Sequence, residues 1–457
     1  MLALITEAVD DRSARGIAAA VGRLVSAGDL PAGARLPTVR DVARSLGVSP
    51  TTVSEAWRSL TRAGAIQTRG RSGSFVATPV APRQSWRFTQ MGASPPGRLD
   101  LSTGIPDHDL LPDLSDALKR IGDGRLTTSY LDEPVLPALE TVLRDRWPYP
   151  AERLTVVDGA LDALDRIIGA VVRFGDRVVV ENPAFPPLLD LLQTVGATVI
   201  GVPIDDAGMR PDKLHGVLAE FPTAAVFLQP RAHNPAGVSM TPDRAAALAA
   251  ILAEFPDVVA VEDDHAGDIA TAAPVSLGRQ LPGRTVHVAS FSKSHGPDLR
   301  LAAIGGPAGI VTAVADRRLL GPGWSSRLLQ GVLLDLLTDP AAGVQVAAAR
   351  DAYAERRAAL LTRLRERGVT ATAADGINLW MAVDDQQIAL VSLAARGIAV
   401  APGAPFCVTP LASDHVRVTA GLVADGFDDL ADALASAAIL DSRGSGVRAR
   451  PHPRGLR

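Results

Sequence analysis

Two domains of different class are predicted: a small N-terminal α+β domain and a large α/β domain built on a mainly parallel sheet. Three observations lead there. A chain of 457 residues is too long for one hydrophobic core, and at 47% apolar it can fill more than one. Between Ser13 and Val76, apolar residues recur first at helical spacing and then in two short strand-like runs. From Asp100 onward, short β-branched runs alternate with apolar-rich helical stretches, the pattern of a parallel sheet covered on both faces.

Composition removes several functional classes. One cysteine, Cys407, excludes an intramolecular disulfide, and no metal site is expected. No apolar run is long enough to cross a bilayer. Met1 to Val9 is apolar but short, carries Glu7 and lacks a basic lead, so it does not read as a signal peptide. A cytoplasmic protein with no membrane partner is expected. Residues 1–80 hold ten arginines against six acids, a charge of +4, leaving −8 for the rest of a chain whose net charge is −4. A basic segment joined to an acidic body points toward nucleic acid.

The basic segment has the elements for that partner. Ile17, Val21, Leu24 and Val25 define one helix, and Val39, Val42, Ala43 and Leu46 a second, stopped by Gly47. Ser49-Pro50 opens a third, with Val53, Trp57 and Leu60 on its buried side. Two short helices around Gly47-Val48 make a helix-turn-helix, whose second member would enter the major groove and offer Thr51, Thr52, Ser54 and Arg58. Residues 65–68 and 74–76 read as strands around the basic loop Arg69-Gly70-Arg71-Ser72-Gly73. The segment resembles the GntR-type winged helix-turn-helix through Leu36-Pro37-Thr38-Val39-Arg40, Leu46-Gly47-Val48-Ser49, Thr51-Thr52-Val53 and Gly70-Arg71-Ser72-Gly73. The resemblance implies that Arg40, Thr51 and Thr52 grip phosphates or base edges and that Arg71 reaches along the groove. The family often has arginines where this chain has Pro50 and Ser54, which removes two possible bidentate guanine contacts.

The DNA-binding domain is placed at residues 1–78, a proline-rich linker at 79–98, the large domain at 99–440 and a disordered basic tail at 441–457. In the large domain, strands are predicted at residues 177–181, 198–202, 224–228, 258–262, 285–289 and 302–305. The fifth ends in Ser290-Phe291-Ser292-Lys293, with Arg300 seven places beyond the lysine. Open α/β sheets keep their ligands at such carboxyl ends. Lysine is rare in this chain: only Lys119, Lys213 and Lys293 occur among 46 basic residues. A desolvated lysine can form a Schiff base and an arginine cannot. An amine beside hydroxyls and a guanidinium suits pyridoxal phosphate, whereas the lysine alone reads as a strand-end ion pair with Asp298.

Other strand ends carry matching groups, each with a plainer alternative. Gly159-Ala160 could hold a phosphate on free helix amides or simply start a helix. Phe185 could stack on a pyridine ring or fill the core. Asn234, in a rigid turn that opens at Gln229, could donate to a phenolate or merely turn the chain. Glu262-Asp263-Asp264 are costly at a strand end unless a cation faces them, and a pyridinium nitrogen is such a cation. Together these residues resemble fold-type I pyridoxal-phosphate enzymes of the class I/II aminotransferase group. The resemblance implies that Lys293 forms the internal aldimine, Asp263 pairs with the ring nitrogen, Asn234 binds the ring hydroxyl and Phe185 stacks. It assigns the phosphate to Ser290, Ser292, Arg300 and the amides of Gly159 and Ala160, with Tyr130 lent to the neighbouring subunit of a dimer. Arg417 matches the arginine that clamps a substrate carboxylate. His265 stands where the family commonly has a tyrosine, and a histidine can still donate to the ring hydroxyl.

A GntR-like domain followed by an aminotransferase-like domain resembles the MocR group of bacterial regulators. The fold class is thus an α+β winged helix-turn-helix joined to an α/β fold-type I transferase-like domain. The resemblance implies a homodimeric transcription factor that binds a double-stranded DNA operator and pyridoxal 5'-phosphate, and senses the cofactor, an amino acid or an amine. The alternative is an active aminotransferase with an accessory DNA-binding domain.

Overall fold

A computed structural model describes residues 1–31, 33–62, 66–68, 73–76, 87, 99–122 and 132–439. Arg71, Tyr130 and the tail 441–457 lie outside these residues, as does nearly all of 79–98. Two units separate, Met1–Gln84 and Ser85–Arg457.

In the first unit, α1 (Leu2–Ala8), α2 (Ala14–Ala27), α3 (Val39–Leu46) and α4 (Pro50–Arg62) precede an antiparallel pair, β1 (Ile66–Thr68) and β2 (Ser74–Val76). The ends form where the side chains allow. Ser13, Thr38 and Ser49 accept hydrogen bonds from the amides of Gly16, Asp41 and Thr52 at 3.1, 3.2 and 3.1 Å. Gly47 ends α3 at φ 67°, a left-handed conformation that an L side chain adopts only with strain. Ile17, Val21, Val42, Leu46, Val53, Trp57 and Leu60 meet in one core, closed by Ile66 and Val76 of the wing. Helix α1 goes beyond the sequence expectation: the apolar start folds because Ile5 is fully buried in that same core.

The second unit holds an eight-stranded sheet in the order β4 (Arg153–Val157), β11 (Ala302–Gly306), β10 (Thr285–Ser290), β9 (Val259–Asp264), β8 (Ala225–Leu228), β5 (Arg177–Asn182), β6 (Thr198–Asp205), β7 (Gly208–Met209). Strands β10, β9, β8, β5 and β6 are mutually parallel, while β11 and β7 run against their neighbours. All six predicted strands are present, β6 and β9 running beyond their predicted ends. Both faces are apolar because alternate residues point to opposite sides. Val261, Val286 and Val288 face α5 (Ala160–Val171) and α6 (Ala308–Leu319), while Val226 and Ala260 belong to a second core on the other side.

A second sheet of five strands orders β12 (Ala371–Thr372), β13 (Leu379–Val383), β15 (Asp414–Val418), β14 (Ile398–Pro402) and β3 (Leu99–Leu101). The long helix α7 (Pro340–Glu366) packs Leu360 and Leu364 into its core. Strand β3 lies parallel to β14, so the start of the large unit is stitched to a sheet whose other members come from its far end. Among the described residues, no single helix is long and apolar enough to cross a membrane.

Candidate functional site

The carboxyl ends of β8, β9 and β10 bring the expected residues together. Lys293 follows β10, is half-buried, and donates from Nζ to the carbonyl of Gly104 at 2.7 Å. Burial, helped by the positive Arg417, draws its pKa down to about 8, against the opposing pull of Asp263. Among the described residues no carboxylate lies within ion-pair distance of Lys293, so the alternative pairing with Asp298 does not form.

Strand alternation separates the three consecutive acids. Asp263 shares a face with Val261, whereas Glu262 and Asp264 point the other way. Glu262 accepts from His287 Nδ1, Ser276 Oγ and the Leu277 amide at 2.8, 2.6 and 2.6 Å. Asp264 takes the Arg231 guanidinium. Glu262 is thus engaged at both oxygens and Asp264 has a cation on Oδ2, although Asp264 Oδ1 is buried with no hydrogen-bond partner. Asp263 Oδ2 accepts from Gln229 Nε2 at 2.8 Å, but Oδ1 is buried with no hydrogen-bond partner. Burial pushes Asp263 up to about 6; the Gln229 hydrogen bond opposes this, as do the charges of Lys293 and His287, while Asp264 adds to it. Phe185 lines the same cavity as Asp263 and Gln229.

Asn234 Oδ1 accepts from Arg417 at 3.1 Å, which directs its Nδ2 elsewhere. His265 Nε2 lies 2.9 Å from the carbonyl of Ala232. A carbonyl only accepts, so Nε2 carries the proton. Burial lowers His265 to about 3, so the ring is neutral and its Nδ1 is an acceptor. The donation to a ring hydroxyl expected of His265 is not available in this arrangement.

The residues predicted for the phosphate form two close pairs, Gly159 with Arg300 and Ser290 with Ser292. Gly159, at φ 99°, caps α5 so that Ala160 opens the helix, and a side-chain carbon at Gly159 would lie 3.6 Å from the Arg300 guanidinium carbon. Ser290 is buried at the end of β10, its Oγ 3.4 Å from the amide of half-buried Ser292. A residue the sequence did not single out braces the turn at Gly159. Buried Arg318, from α6, binds Asp158 at 3.1 Å and Asp162 at 2.5 Å on either side of Gly159. The Leu319-Leu320 that follows Arg318 resembles any helix end, so nothing local marks it.

Arg417, in β15, is 1% exposed. It donates to Asn234 and to the carbonyl of Ser102, stacks over Phe406 at 5.2 Å, and has no hydrogen-bond partner for Nε. Burial lowers it to about 10, with Asp100 pulling the other way. A segment missed by the sequence reading thus covers the site. The carbonyls of Ser102 and Gly104 hold Arg417 and Lys293, and the Gly104 amide donates to Thr419 Oγ1 at 2.9 Å.

In the first unit, Arg40, Thr51 and Arg58 are exposed, Thr51 and Arg58 two turns apart on α4. Thr52 is half-buried and its hydroxyl sits 2.8 Å from Ser49 Oγ, so it serves the helix start as well.

Residues 96–434 match the family model for aminotransferase class I and II, and residues 13–76 match that for bacterial regulatory proteins of the gntR family. The vitamin B6 salvage pathway transcriptional repressor PtsJ of Salmonella typhimurium is 34% identical over 423 residues, covering 91% of this chain and 96% of that protein. The HTH-type transcriptional regulator TauR of Rhodobacter capsulatus is 30% identical, covering 82% of this chain and 85% of that protein. LysN, an alpha-aminoadipate aminotransferase of Thermus thermophilus solved with N-(5'-phosphopyridoxyl)-L-leucine, superposes with a TM-score of 0.68 at 21% identity, covering 77% of this chain and 97% of that chain. Fold, domain order and relatives agree: this chain belongs to the aminotransferase class I and II family and, through its GntR-family first domain, to the MocR type of transcriptional regulators.

Proposed function

We propose that this chain regulates transcription by binding an operator through its winged helix-turn-helix, and that its second domain binds pyridoxal 5'-phosphate at Lys293 and responds to that cofactor or to an amino compound. One observation carries the reading. A half-buried amine drawn down to about 8 lies close enough to Asp263 for each charge to shift the other, and Asp263 Oδ1 is buried with no hydrogen-bond partner among the described residues. A pyridinium N–H fits that oxygen. When bound, pyridoxal phosphate supplies an aldehyde that captures primary amines and a ring that withdraws electrons from them.

The chain's residues would divide the remaining work. Asn234 Nδ2 is left to donate to the ring hydroxyl, and Phe185 to cover a ring face. Arg300, Ser290, Ser292 and the amides of Gly159 and Ala160 would take the phosphate. Arg417 would take an effector carboxylate. Arg40, Thr51, Thr52, Arg58 and Arg71 would contact DNA, in a homodimer whose two-fold symmetry suits paired half-sites. That PtsJ is named for vitamin B6 salvage and LysN was solved with a phosphopyridoxyl group supports the choice of cofactor.

The amine sets a pH test. Only neutral Lys293 attacks an aldehyde, and with a pKa of about 8 roughly one tenth of it is neutral at pH 7. Capture of pyridoxal phosphate by the cofactor-free chain is expected to speed up as pH rises and to level off above about 8. A rate still climbing toward the ordinary lysine value of 10.5 contradicts the reading.

Ligand response can start at the segment Ser102–Gly104. Its carbonyls hold both cations that a carboxylated amine would engage, and it continues β3, which follows the 79–98 linker to the DNA-binding unit. A ligand that takes Lys293 and Arg417 removes both anchors, and so binds one arrangement of this segment better than the other. Amide exchange at Gly104 should therefore accelerate when the chain is loaded with pyridoxal phosphate and an amino acid. Equal exchange with and without ligand would rule this route out.

A further inference from the structure

We propose that Gln229 is a positioning residue that selects which oxygen of Asp263 serves the cofactor ring; this rests on the cofactor reading given above. Gln229 follows β8 and is buried. Its three polar groups reach three elements. Nε2 donates to Asp263 Oδ2, Oε1 accepts from the Asn234 amide, and its own backbone amide donates to Glu181 Oε2, each at 2.8 Å.

These contacts fix the side chain without ambiguity. The Asn234 amide can only donate, so the Gln229 atom facing it is the carbonyl oxygen and the NH2 group must face Asp263. Asp263 Oδ2 is then committed as an acceptor. Any proton on Asp263, or any N–H approaching it, belongs to Oδ1, the atom left without a partner. The same side-chain amide ties Asn234 to Asp263, the two residues assigned to the ring hydroxyl and the ring nitrogen.

Gln229 also favours the charged form of Asp263. Of the ionisable groups around that carboxylate, Lys293 and His287 draw protons off it, while Asp264 opposes them. Glu181 is buried and pushed up to about 8, so at neutral pH it is largely uncharged and adds little repulsion. Removing the Gln229 donor leaves burial less opposed, and Asp263 holds its proton to higher pH. A bound pyridine ring facing a neutral Asp263 would not hold a positive charge, and Lys293 joined to it would keep its proton to higher pH.

The test is the pH midpoint of the lysine-linked pyridoxal absorption band in the full-length chain. Gln229→Leu should move that midpoint upward by about one pH unit, the effect of losing a hydrogen bond to a charged group. Gln229→Glu, which puts a second carboxyl beside Asp263 and adds negative charge there as it ionises, should also move the midpoint upward. A lowered melting temperature with an unmoved midpoint in both variants would reduce Gln229 to a structural residue and overturn the proposal. If Gln229→Leu does not fold, Gln229→Glu alone decides by the same midpoint. No linked band in the wild-type chain would overturn the cofactor reading itself, and this proposal with it.

Discussion

Replacing Lys293 by alanine is expected to abolish the lysine-linked absorption band of bound pyridoxal phosphate and to weaken retention by at least about 100-fold. No other side chain can substitute. The remaining lysines, Lys119 and Lys213, are exposed and sit in surface ion pairs with Asp116 and Asp212 at 3.0 and 3.7 Å. Neither is desolvated by the sheet's carboxyl edge, and the other basic residues with long side chains are arginines, which stay charged and do not add to aldehydes. Lys293→Arg therefore gives no rescue, although it keeps a cation beside Asp263. Ultraviolet–visible spectra of dialysed protein read the result. A linked band that survives in Lys293→Ala would place the reactive amine elsewhere.

Arg417→Gln is expected to weaken binding of amino acids by about 100-fold or more, while amines of the same size without a carboxylate bind as before. Arg417 is 1% exposed, and its hydrogen-bond acceptors are a side-chain amide oxygen and a backbone carbonyl rather than an acid. Among the described residues no carboxylate lies within ion-pair distance of it. A buried guanidinium without a counter-ion is costly, and an effector carboxylate supplies one. Glutamine retains a donor for Asn234 but not the charge, so the loss falls on the carboxylate contact. Titrating matched amine and amino acid pairs into the pyridoxal-loaded chain separates the two cases. An equal loss for both members of a pair would make Arg417 a structural residue.

Parts of this site were legible because local chemistry announces them. A β-branched run ending in hydroxyls and the rare Lys293 identified β10 and its amine, and Gly47 and Ser49-Pro50 marked the turn between the two helices of the helix-turn-helix. What the sequence hid depends on partners far along the chain. Glu262 and Asp264 looked as though they awaited a ligand cation, but strand alternation turns them toward His287 and Arg231. The strands of the second sheet are short, and β3 is a strand only because β14, nearly three hundred residues later, pairs with it. The hold on Lys293 and Arg417 comes from backbone carbonyls, which every residue has, so Ser102 and Gly104 carry no signature. Arg318 and Gln229 act through side chains at the ends of elements, where the same residues more often serve turns or solvent.

Lys293 chemistry is expected to change DNA binding, and an affinity measurement on operator DNA reads that change. Fluorescence anisotropy with the chain's own upstream DNA, at one fixed salt concentration, is read with and without pyridoxal phosphate for wild type and Lys293→Ala. Salt is held constant because phosphate contacts make affinity steeply salt-dependent. A cofactor-dependent change in specific affinity that disappears in Lys293→Ala is the predicted result. Specific binding that is identical with and without pyridoxal phosphate, in both proteins and in the presence of amino acids, would contradict it.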